Sequence, residues 1–116
     1  MKKIAVVANA LVHAVLQHDE EAGQEAVRIM NDAELIFISN TTIAKFLESI
    51  CGDHQIPRPL AISAVRLLLA DDKILADREA LSVCLSAMEK GRGFLETLES
   101  CEALRQGVDQ VLSFSA

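Results

Sequence analysis

A chain of 116 residues is the size of one ordinary domain, since domains commonly run to about 100–150 residues. Half of it is hydrophobic (51%), yet aromatics make up 3% and Trp and Tyr are absent, so the core must be aliphatic, built from Leu, Ile, Val and Ala. That composition favours packed helices with any sheet buried on both faces. The formal charge of −6 opposes tight nonspecific binding to a polyanion, because such binding draws most of its energy from Lys and Arg neutralising phosphates.

In chain order, Ile4, Ala5, Val6 and Val7 form a short apolar run ending in Ala8 and Asn9, the pattern of a buried strand feeding a helix over about residues 10–17. Lys2 and Lys3 precede this run, which is too short for a signal segment or a membrane span, so the expected location is the cytoplasm, without membrane contact. Asp19, Glu20 and Glu21 place carboxylates in the first turn of a second helix, where the helix dipole favours them. Ala22, Ala26, Ile29 and Ala33 give that helix one apolar stripe. Residues 34–38 read as the second strand, closed by Ser39 and Asn40, either of which can cap a following helix. Ile43, Phe46, Leu47 and Ile50 recur at helical spacing. That helix is expected to end at residues 51–53, and Pro57 and Pro59 open the next. Residues 60–70 are apolar almost all round, as in a helix buried between neighbours.

Ile74 and Leu75 suit a short strand, and Asp77 suits the cap of a helix carrying Leu81, Cys84, Leu85 and Met88 and closed by Gly91 and Gly93. A last helix is predicted over residues 94–105 and a fourth strand over residues 108–114. The order β-α-α-β-α-α-β-α-α-β predicts an α/β fold, a three-layer α/β/α sandwich around a mainly parallel sheet, in a single domain spanning residues 1–116.

In open parallel sheets function gathers at the carboxyl ends of the strands. The run Val6-Val7-Ala8-Asn9-Ala10-Leu11-Val12 resembles the opening of the PIN-domain family, in which an apolar strand runs into Asp, a small residue and Asn before a helix. Ile38-Ser39-Asn40-Thr41-Thr42-Ile43-Ala44-Lys45-Phe46-Leu47 resembles the second PIN segment, with its strand-end Ser and its helical Ala-Glu pair. Gly91-Arg92-Gly93-Phe94-Leu95-Glu96-Thr97-Leu98 is similar to the third, and Val111-Leu112-Ser113-Phe114-Ser115 to the closing strand with its Thr-Phe-Asp. The resemblance implies a PIN-like fold of the kind found in VapC-type toxins, ribonucleases that gather about four carboxylates around Mg²⁺ or Mn²⁺. Hard divalent ions take oxygen ligands, activate water and stabilise a phosphodiester transition state.

Most of those carboxylates are replaced. Val7 stands at the first acidic position, Lys45 at the helical Glu, Gly93 at the third acid and Ser115 at the last, while Asn9 keeps a polar group at the first strand end. Among the matched positions only Glu96 retains a carboxylate. One carboxylate beside an ammonium is a poor Mg²⁺ site, because Mg²⁺ gives up its water reluctantly. The bland reading of Lys45 is an outward residue paired with Glu48 at i, i+3.

Other candidates read as ordinary structure. Glu96, Glu99 and Glu102 recur every three residues and suit a solvated face. His13 and His18 do not share a helical face, and His54 falls in a loop. Cys51, Cys84 and Cys101 lack a CxxC pair and suit reduced core thiols rather than a disulfide or zinc framework. The arginines are scattered, without the clustering of a nucleic-acid platform. No dinucleotide, P-loop or nucleophile-elbow motif occurs.

The expectation is therefore a degenerate, noncatalytic PIN-like protein without a bound metal, acting through homodimerisation or an antitoxin-like protein partner, as the resemblance implies. The first alternative is a Mg²⁺- or Mn²⁺-dependent ribonuclease using Glu96 with carboxylates such as Glu48 or Asp72. The second is a noncatalytic RNA-binding module, which the low basic content disfavours.

Overall fold

The computed structural model describes residues 2–16, 20–112 and 114. The chain divides into two compact units, Met1–Arg78 and Glu79–Ala116.

The first unit is built on three short parallel strands, β1 (Lys3–Ala5), β2 (Leu35–Phe37) and β3 (Ile74–Leu75), in the order β1-β2-β3. Ile4 pairs with Ile36 and Ile36 with Ile74, while Ala5 pairs with Phe37 and Phe37 with Leu75. Because side chains alternate across a strand, the two rows lie on opposite faces. Ile36 and Ile74 are buried, with Ile4 partly so at the edge, whereas Phe37 is 50% and Leu75 45% exposed. Cover is thus complete on one face of the sheet only, where composition led us to expect two. The connections explain this. Helices α1 (Ala8–Leu16) and α2 (Glu20–Asp32) join β1 to β2, and α3 (Asn40–Gly52) and α4 (Arg58–Leu69) join β2 to β3. Both crossovers advance the same way along the sheet, so the right-handed rule puts both helix pairs on one face.

The α3 helix is the best-buried element of this unit. Ile43, Phe46, Leu47 and Ile50, the spacing read from the sequence, are all buried. Ser39 caps it, its hydroxyl oxygen accepting from the amide of Thr42 at 3.0 Å. The chain leaves α3 at Asp53 rather than turning on Gly52, and Gln55 takes the left-handed conformation there (φ 53°). The α1 helix begins at Ala8, so Asn9 lies inside its first turn. In α2, Ala33 just beyond the helix is buried, but Ala22, Ala26 and Ile29 are only half-buried, and the residue fully covered within the helix is Gly23. The expectation that α4 is buried all round fails: Ala61, Ile62 and Val65 are covered, while Leu60 and Leu67 face solvent. It is amphipathic, with one stripe covered and Leu60 and Leu67 on the open side.

The second unit holds α5 (Arg78–Glu89), which starts at the boundary, and α6 (Phe94–Arg105). Ala80, Leu81, Cys84, Leu85 and Met88 are buried on α5, as are Phe94 and Leu98 on α6. Gly91 (φ 84°) ends α5 in a Schellman turn, in which Arg92 N donates to Ala87 O and Gly91 N to Met88 O, each at 2.9 Å. The predicted fourth strand is not formed at residues 108–112, which carry no regular structure and are exposed. A strand needs a partner's backbone as well as an apolar sequence, and the sequence supplies only the latter.

Candidate functional site

The carboxyl end of β1 is held by Val6 N donating to Phe37 O at 3.0 Å. Val7 follows, its carbonyl accepting from Leu11 N at 3.1 Å, so it is the residue on which α1 starts. Its side chain is 64% exposed. An aliphatic group therefore projects to solvent where the resembled family carries its first acid. Asn9, one residue into α1, is also exposed. Beside them lies an apolar cavity of about 290 Å³, lined by Ile4, Val6, Val7, Ala10, Ile29 and Met30 among others, without a charged group.

Lys45 is exposed on α3 and borders an open groove of about 400 Å³ with Glu48, Ser49, Gly52 and Asp53. It shares that groove with Glu48, but the expected ion pair is not made among the described residues. Two long, solvated side chains gain little by holding one geometry.

Gly93 and Glu96 belong to the second unit. Gly93 is the N-cap of α6 and lends no side chain to it, while Glu96 sits exposed in the first turn, where the helix dipole suits a carboxylate. A Cβ placed on Gly93 would lie 3.8 Å from Glu96 Oε2, so the carboxylate leans back over the cap. Ser115 lies outside the described residues. The structure thus joins Val7 and Asn9 at one strand end and Gly93 and Glu96 at one helix start.

Of the remaining candidates, Glu99 and Glu102 are exposed on α6 as a solvated face. His13 and His54 are half-buried, and His18 lies outside the described residues. None of the three cysteines is in a disulfide, but only Cys84 is a core residue. Cys51 and Cys101 are half-buried, because each falls at the margin of its helix's apolar stripe. Among the described residues no three His, Cys, Asp or Glu side chains gather as a metal-holding group, and no helix is long and apolar enough to cross a membrane.

Three polar links escaped sequence reasoning: two join residues 37 to 43 apart in the chain, and the third reaches back 7 and 9 residues. Asn40 Nδ2 donates to Asp77 Oδ2 at 3.4 Å, tying together the carboxyl ends of β2 and β3. Lys73 Nζ donates to Met30 O at 2.8 Å and Ala33 O at 3.4 Å, closing the end of α2. Arg78 donates to Leu69 O and Asp71 O, each at 3.0 Å, closing α4. No spacing rule signals such partners, although the last carbonyls of a helix are a common target for a Lys or Arg side chain.

Comparison with protein-family models, curated proteins and solved structures finds no match to this chain. What the fold defines is a class: a mixed α/β protein with six helices and a three-stranded parallel sheet among the described residues.

Proposed function

We propose that this is a PIN-like domain that has given up metal-dependent ribonuclease chemistry and acts by binding protein, first of all a second copy of itself. The observation that carries the reading is the surface at the carboxyl end of β1. A catalytic strand end needs charged oxygen donors, whereas this one presents exposed Val7 beside an apolar cavity. Exposed apolar surface next to a cavity is the chemistry of a protein-protein contact. The finer architecture, an α/β/α sandwich, belongs to the same proposal. A parallel sheet is ordinarily covered on both faces, and the row of Ala5, Phe37 and Leu75 is the face that still calls for a layer. A small antitoxin-like protein is the other partner such a surface suits.

The test is sedimentation velocity across the micromolar range. A species of twice the 12.6 kDa chain mass is expected; a lone 12.6 kDa species at every concentration removes self-association.

A further inference from the structure

We propose that two copies associate by exchanging strands, residues 108–112 of each copy adding in parallel to the open edge of β1 in the other; this rests on the self-binding reading above and names its surface. Among the described residues the sheet ends at β1, which pairs only with β2. Lys2 O and Val6 N turn toward β2, and hydrogen-bonding groups alternate along a strand, so the amides and carbonyls of Lys3 and Ala5 turn outward. Among the described residues nothing bonds to them. An edge of this kind is a template for a further strand.

The same chain carries a segment suited to it. Val108-Asp109-Gln110-Val111-Leu112 is exposed throughout, Leu112 at 74%, and forms no strand of its own. Charge sets the register. With the segment parallel to β1, Asp109 falls beside Lys3, Val111 beside Ala5 on the uncovered sheet face, and Leu112 beside Val6, facing the apolar cavity of Ile4, Val6, Ala10, Ile29 and Met30. The antiparallel arrangement that keeps the same central pairing carries Asp109 to the far end of the strand, away from Lys2 and Lys3. Reciprocal exchange is a closed two-fold arrangement and so stops at a dimer.

The experiment is sedimentation velocity on full-length chains, with circular dichroism as a check on folding. Ala5→Pro removes an outward amide while sparing the bonds to β2, and Gln110→Pro removes the segment amide that donates to Lys3 O in this register. Each variant alone is expected to lose the dimer. Their mixture is expected to regain it, since one intact edge and one intact segment remain. Lys3→Asp is expected to weaken the dimer by about tenfold, with recovery in the double variant Lys3→Asp/Asp109→Lys. This charge pair decides the matter if a proline variant loses its helical signal. A wild-type dimer that survives all these changes, or proline variants that fail to complement while folded, overturns strand exchange but leaves self-association standing. A wild-type chain that is monomeric throughout overturns both.

Discussion

Ser39 and Lys73 show how much single polar side chains set in a chain whose core is aliphatic. Ser39 Oγ accepts from Thr42 N and donates to Thr42 Oγ1, both at 3.0 Å, at the point where β2 turns into α3. Ser39→Ala leaves an amide unsatisfied at the start of the most buried helix, and it is expected to lower stability by about 1 kcal/mol in urea unfolding. Lys73 places its ammonium against the last carbonyls of α2, where both hydrogen bonding and the helix dipole favour a cation. Lys73→Met keeps the aliphatic stem and removes the donors, so a loss of about 1–2 kcal/mol is expected from the same measurement. The cap was legible in the sequence, because a strand ending in Ser before a helical apolar pattern has a local cause. The Lys73 latch was not, because its partners lie 40 and 43 residues away.

Among the elements, α2 carries its ion pairs on an exposed face. Arg28 hydrogen-bonds Glu25 three residues before it and lies 3.5 Å from Asp32 four residues after it. The hydrogen bond from Arg28 is the main cause that holds the Glu25 carboxyl below its ordinary range, helped by the guanidinium charge and opposed by slight desolvation. A carboxyl depressed in the folded state stabilises the fold above its unfolded pKa, and that contribution is lost as pH falls through the lowered folded value. Thermal melts of Glu25→Gln should therefore lie slightly below wild type at neutral pH and converge with it in acid. The gap is small because the pair is solvent-exposed; equal melting at neutral pH, or a gap that widens in acid, contradicts this account. The position of α3 followed directly from apolar spacing and the Ser39 cap, and β3 and α6 lie where the sequence placed them. The failures at α4 and at residues 108–112 share a cause: periodicity says that a side chain is apolar but not whether a neighbour exists to cover it.

For the whole molecule, the proposed PIN-like reading expects no metal chemistry, since Val7, Lys45, Gly93 and Ser115 stand where the resemblance implies acids. Calorimetric titration with Mn²⁺ should show no stoichiometric binding, and RNA should stay intact with wild type and Glu96→Gln alike. Metal-dependent cleavage lost in Glu96→Gln would instead restore the ribonuclease reading. Sequence by itself determined the α/β class, the strand starts near residues 3, 35 and 74, and the apolar core of α3 and α5. Each is a property of residue type and local spacing. Only the tertiary structure decided that β1 is an edge, that the Phe37 and Leu75 row is half-exposed, that Lys45 shares a groove with Glu48 without pairing to it, and that Val7 stands in solvent beside an apolar cavity. Exposure and pairing are set by which segments meet in space, and the side-chain pattern of one segment holds no record of its neighbours.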